Sequence, residues 1–298
     1  MSFDNVYEAI TEDNDARWAF GTGFADPLSG VDTSVPPSLD ASALAAYCLM
    51  LGDDALVFSH RLQEWVTNAP ELEDEVAIAN IGLDLLGQAR LLLARAGKAD
   101  GTDRSEDTLA FLRAEHEFRN VRLAELGGGH FGHLMARLLV FSTWRLALLQ
   151  QLESDAASAG GSTSAESSVD PVLSAIAAKG VKELAYHRDY AAQWVVRLGD
   201  GTELSHERMQ EGLDAVWPYV DELFKTHPLE LVDAATLRPE FDVVLDQVLA
   251  AATLERPTSG AVAGVSGRTG RDGVHTEQMG FLLAQLQSVA RAMPDATW

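Results

Sequence analysis

Apolar residues recur along this chain every three or four positions, in runs long enough for five or six helical turns. The first run starts at Asp40, a good N-cap, and carries Leu44, Tyr47, Leu51, Phe58, Leu62 and Trp65 on one face, with Asp54 at its edge. Pro70 breaks it. Glu71, Glu73, Asp74 and Glu75 then favour the positive end of a second helix, which has Ile78, Ile81, Leu85, Ala89 and Leu92 inward and Gly97 as its stop. Ser105-Glu106-Asp107 opens a third helix, expected to reach Leu126 before Gly127-Gly128-Gly129. The same periodicity predicts helices over 131–153, 171–198, from a Ser205 cap to Phe224, over 236–254 and over 276–292.

No segment alternates with period two for long, so the expected fold class is all-α, an antiparallel helix bundle with additional C-terminal helices. The organisation follows from the joints. Residues 1–40 mix Asp, Ser, Thr, Gly and Pro and read as an acidic, mobile arm that Trp18, Phe20 and Phe24 could dock. Residues 41–256 form the bundle, interrupted by a Ser/Ala/Gly-rich flexible loop at 154–168. Residues 257–298 add a Gly-rich loop and a last helix packed on the bundle.

Charge narrows the function classes. With 45 acids against 22 bases the chain carries −23, which excludes a nucleic-acid partner, since phosphate contacts need a basic surface. An apolar share of 47% supplies a core. Cys48 is the single cysteine, so there is neither an internal disulfide nor a Cys-based metal site, and a reducing, cytoplasmic setting is the expectation. The apolar stretch 134–152 contains Arg137 and Arg145, which argues against a membrane span.

One hexapeptide carries candidate chemistry. Lys182-Glu183-Leu184-Ala185-Tyr186-His187 resembles the ligand motif of a ferritin-like di-iron bundle, in which two helices each offer Glu-x-x-His and the other two a carboxylate each. Here the residue three before His187 is Leu184, and the acid sits one position early, about 100° around the helix. The second helix repeats the displacement: Asp84 precedes Leu85, and Gln88 stands where the histidine belongs. On the helix over 131–153, Ser142 replaces an acid, and Arg145 follows one turn on along the same apolar stripe. A buried arginine is costly unless paired, so Arg145 is expected to meet Asp54 or Asp84 and to occupy charge space that metal ions would fill.

Plainer readings stand beside this one. His187 is also compatible with a hydrogen-bonded structural histidine, or with an i,i+4 pair to Glu183 on the surface of its own helix. His116, between Glu115 and Glu117, reads as part of a solvated charged face, because consecutive residues point different ways. Gly267 to Gly273 lacks the Gly-Lys-Ser/Thr of a phosphate loop. Arg268, Arg271, His275 and Glu277 nevertheless make that polar segment the expected contact surface for a partner or for coenzyme A.

Five separated stretches, LGDDALVFSHRLQEW, APELEDEVAIANIGLDLLGQAR, EDTLAFLR, KGVKELAYHRDYAAQWVVRLGDGTE and RTGRDGVHTEQMGFLLAQLQ, resemble the family of C subunits of bacterial and archaeal phenylacetyl-CoA 1,2-epoxidases, from about Ala45 to Trp298. The resemblance implies a ferritin-like fold and a non-catalytic structural subunit. It also implies a partner, the catalytic A subunit, which holds the di-iron centre and epoxidises the ring of phenylacetyl-CoA in aerobic phenylacetate degradation. Electrons would come from an NADPH-linked reductase subunit that this chain meets only indirectly. Carried over by position, the ligands of the catalytic relative fall on Leu85, Gln88, Leu184 and His187, with an acid expected near Ser142, so no cofactor is expected in this chain. The competing reading is a stand-alone ferritin-like metalloprotein using His187 with acids such as Asp54 and Glu183.

Overall fold

The computed structural model describes residues 28–158, 169–294 and 296. Trp18, Phe20 and Phe24, and most of the Ser/Ala/Gly-rich loop, lie outside them. Eight helices form among the described residues: α1 (Ala41–Gln63), α2 (Leu72–Ala99), α3 (Glu106–Phe111), α4 (Phe131–Ser158), α5 (Pro171–Gly199), α6 (Glu203–Val216), α7 (Arg238–Ala251) and α8 (Glu277–Ala292). Asp40 caps α1 by accepting from the Ser42 and Ala43 amides, and Asp170 caps α5 in the same way ahead of Pro171.

Helices α1, α2, α4 and α5 make the bundle. On α1 and α2, Gly52 lies against Leu93 while Gly82 lies against Gln63, so the two helices run antiparallel. On α4 and α5, Leu149 meets Gly180 and Phe131 meets Trp194, again antiparallel. Phe58 of α1 stacks on Phe141 of α4 at 4.2 Å between ring centroids, closing the core. Helix α4 is the central element. Every residue from Leu134 to Leu149 is buried, because α5, α6 and α7 pack around it while α1 faces it across the core.

Several expected boundaries are wrong for physical reasons. The third helix stops at Phe111, and the chain continues through short 3-10 turns at Glu115–Glu117 and Arg122–Glu125. Backbone donors that a helix would have used go to α1 instead: the Arg119 amide donates to Asp53 at 2.8 Å and the Val121 amide to Asp54 at 2.8 Å. Gly97 does not stop α2. A Cβ there would lie 2.0 Å from the Arg104 carbonyl oxygen, so the glycine admits the close return of the chain. Thr202, not Ser205, caps α6, and the helix ends at Val216, just ahead of Pro218, in two further 3-10 turns. Helix α7 begins only at Arg238, and α4 runs on to Ser158, through the start of the expected loop.

Helices α1 and α2 are both long and apolar enough to cross a membrane, with a mean hydropathy of 1.4 over the best window in each. The window of α1 is 72% buried in the bundle, whereas that of α2 is only 44% buried. The apolar content of α1 is thus accounted for by the core. That of α2 exceeds what the core takes up.

The C-terminal segment is fastened to one end of the bundle by polar contacts. The Val262 amide donates to Pro218 O at 2.8 Å, and Arg122 donates to the carbonyls of Val262 and Ala263 at 3.2 Å each. Gly270 presses so closely on residue 120 that a Cβ would lie 2.0 Å from the Asn120 carbonyl oxygen.

Candidate functional site: the filled centre of the bundle

The two displaced acids face each other's helices across the α2–α5 seam. His187 Nε2 lies 3.0 Å from Asp84 Oδ2; a carboxylate accepts, so Nε2 carries the proton. One turn away, Gln88 donates from Nε2 to Glu183 Oε2 at 2.9 Å. Each pair is four residues apart on its own helix and the helices are antiparallel, so the two contacts form successive rungs. The pairing of Glu183 with His187 along α5 does not occur; Glu183 also meets Lys179 at 3.1 Å. Leu85 and Leu184 sit fully buried at the ligand positions, and the Ser142 hydroxyl donates to the Leu138 carbonyl of its own helix.

Arg145 occupies the middle. It is fully buried, donates from Nε to Gln88 Oε1 at 3.1 Å and from Nη2 to the Leu51 carbonyl at 3.2 Å, and holds Nη1 3.9 Å from Asp54 Oδ2. Burial pushes its pKa down to about 10, against the pull of Asp54. Asp84 is not its partner, being taken by His187.

The main partner of Asp54 comes from a segment whose composition points to the surface. Arg271, expected to contact a partner or coenzyme A, is buried and grips Asp54 with two bonds of 2.9 Å, bidentate as guanidinium and carboxylate geometry favours. Its Nε reaches Glu230 at 3.2 Å, and Nη1 donates to the Arg119 carbonyl at 2.8 Å. Burial works against the charge, but Asp54 and Glu230 outweigh it and hold the Arg271 pKa above the ordinary guanidinium value. A polar, Gly-rich stretch reads as surface. Here its arginine is instead the counter-charge of an acid 217 residues earlier.

His275 requires the same correction. Its ring is enclosed, with Nδ1 2.6 Å from Glu125 Oε1 and Nε2 3.2 Å from the Phe118 carbonyl. Both neighbours accept, so both ring nitrogens donate and the ring is an imidazolium. Burial lowers its pKa, but the hydrogen bond and the charge of Glu125 overcome this and raise it. A raised folded-state pKa contributes stability that is complete below the unfolded value of about 6.5 and is lost as pH climbs through the folded value. The stability difference between wild type and His275→Asn is therefore expected to be largest below the unfolded value of about 6.5 and to shrink as pH rises above it, as read by urea denaturation. A difference that grows with pH would contradict the imidazolium assignment. Arg268 and Glu277, the other two residues of that expected surface, are exposed.

Three further buried carboxylates escape the helical pattern as site candidates: Asp53 on Arg113, Glu222 on Arg122, and Asp170 on Arg95. Arg95 also donates to the carbonyls of Thr33 and Ser34, fixing the described end of the arm. Asp53-Asp54 in the middle of an apolar helix is the signal that could have found the first of them, because two adjacent acids there must both find partners.

A di-iron centre does not fit these residues. Among the described residues no three His, Cys, Asp or Glu side chains come together as a metal site. The single imidazole at the ligand positions is bonded to Asp84, and a guanidinium fills the space between the helices. Glu115, His116 and Glu117 are all exposed on their turn.

An antiparallel four-helix core with paired motif positions on its second and fourth long helices defines a ferritin-like bundle. The chain belongs to the phenylacetic acid catabolic protein family, whose model matches residues 30–298. It is 39% identical over 264 residues to the C subunit of 1,2-phenylacetyl-CoA epoxidase from Escherichia coli (strain K12), an alignment covering 86% of this chain and 99% of that protein.

Proposed function

We propose that this chain is a non-catalytic structural subunit of a phenylacetyl-CoA epoxidase, stabilising the di-iron subunit that performs the ring epoxidation. The observation that carries the reading is the buried Arg145 guanidinium, bonded to Gln88 and Leu51 where a metal-binding bundle would present carboxylates. A fixed cation repels a second cation, and the two acids displaced to the α2–α5 seam are bonded to His187 and Gln88. What remains is the architecture of a metal-binding bundle without its donor set. The chain's part in the reaction is to hold a partner. Its relationship to an epoxidase subunit points to the catalytic one as that partner, with the reductase acting on the complex.

Two measurements test this. The purified chain is expected to carry no stoichiometric iron, manganese or zinc by elemental analysis, and to co-purify with the catalytic subunit when the two are expressed together. Near-stoichiometric iron that disappears in His187→Ala would replace the scaffold by a metalloprotein using His187 and nearby acids.

A further inference from the structure

Six carboxylates are buried among the described residues, and five of them meet a cation. Asp53 pairs with Arg113, Asp54 with Arg271, Asp170 with Arg95, Glu222 with Arg122 and Glu125 with His275. Asp74, 6% exposed, is the sixth. Its Oδ1 accepts from the Tyr190 hydroxyl at 2.8 Å and from Trp194 Nε1 at 2.9 Å, both neutral donors. Burial and the bond to Asp74 raise the Tyr190 pKa, so the phenol keeps its proton and stays a donor. Oδ2 accepts from nothing among the described residues, and no cation pairs with the carboxylate.

This unpaired acid lines a cleft of about 360 Å³ between the first turn of α2 and the last turns of α5. Glu71 and Glu73 stand exposed at its rim, also without an ion pair. Tyr190, Trp194 and Arg197, at spacings of four and three, form the wall on one face of α5. The Arg197 guanidinium lies over the Trp194 ring, 4.7 Å from its centroid, and reaches none of the three acids. Three carboxylates against one guanidinium leave the cleft with an excess of negative charge. Acids in the first turn of α2 do suit the positive end of that helix. The negative end of antiparallel α5 lies alongside and offsets it, so the dipole alone does not neutralise the cleft.

A buried carboxylate is costly unless a cation or a full set of donors satisfies it, and the other five in this chain obey that rule. We propose that the cleft binds an organic cation, an alkylguanidinium or alkylammonium group, with its charge on Asp74 Oδ2 and its alkyl chain along Tyr190 and Trp194. The rim acids draw the cation in, and the aromatic wall favours it over a hydrated metal ion. A free amine and a basic side chain of a partner protein offer the same group. The site itself does not depend on the scaffold reading.

Calorimetric titration of the full chain with agmatine, at physiological salt, is expected to show saturable binding of one molecule per chain. Asp74→Asn keeps an acceptor for Tyr190 and Trp194 and removes the charge. It is expected to weaken binding by about 10- to 100-fold, the value of one hydrogen bond to a charged group. Glu73→Gln, at the exposed rim, is expected to weaken it less, and Asp246→Asn, 59% exposed on α7, to leave it unchanged. A wild type that takes up no agmatine, or an affinity unaltered in Asp74→Asn, would overturn the site. Should that variant not fold, an unaltered affinity in Glu73→Gln does the same. Co-purification with the catalytic subunit separates the two sources, and this arm alone rests on the scaffold reading. Loss of the complex in saturating agmatine assigns the cation to a side chain of that subunit, and an indifferent complex assigns it to a free amine.

Discussion

Replacing Asp54 with alanine is expected to cost about 3–5 kcal/mol, as breaking a buried ion pair from one side does. Asp54 is wholly buried, accepts two bonds from Arg271 and one from the Val121 amide, and lies 3.9 Å from the Arg145 guanidinium. Its loss leaves two interior cations without their shared counter-ion. Arg271 would keep Glu230, but Arg145 would keep only Gln88 and a backbone carbonyl. A domain with about 5–15 kcal/mol of total stability loses a large part of it in such a change. The control is Asp246→Ala, which removes a partner of Arg256 whose own side chain is 59% exposed and is expected to cost less than about 1 kcal/mol. Urea denaturation of both variants reads the difference. An Asp54→Ala protein as stable as the control would show that the interior charges are organised by something other than this carboxylate.

Arg137 should respond in the opposite direction. It is 2% exposed in the central helix, and its three side-chain nitrogens meet no acceptor among the described residues. Burial pushes its pKa down to about 10, with Glu64 opposing the shift and Arg61 adding to it. Arg145 lies two turns along the same helix and has bonded partners; Arg137 has only the cost of being there. Arg137→Met, which keeps the shape of the chain and removes the charge, is expected to stabilise the protein by about 1–4 kcal/mol, the gain expected when buried charges give way to packed apolar groups. A rise in the urea midpoint with an unchanged slope is the expected result. A loss of stability would contradict the reading of Arg137 as an unpaired interior charge.

The long helices and their inner faces were legible in the sequence because a 3.6-residue period sustained over six turns matches no regular structure except a helix. The two displaced acids were legible for the same reason, since a one-residue shift is a large rotation. Their partners were not. Nothing local to Glu183 points at Gln88, and the pattern that put Glu183 beside His187 on one helix favoured the wrong pair. The stretch between α3 and α4 failed differently. Its helical signal was real, but Arg113, Arg122 and Glu125 are each bound to groups far away in sequence, and those bonds outweigh local propensity. Arg271 was the largest misplacement, because glycine-rich polarity signals solvent only while no buried acid is waiting for a cation.

The link between Asp54 and Arg271 also sets an order of events during synthesis. Helix α1 leaves the ribosome among the earliest elements, and its acid cannot be neutralised by its main partner until more than two hundred further residues have emerged. Contacts of such long range close late. Until the segment around Arg271 arrives to seal one end, Asp54 lacks its main counter-charge. A chain halted before that segment would be the species most in need of a chaperone.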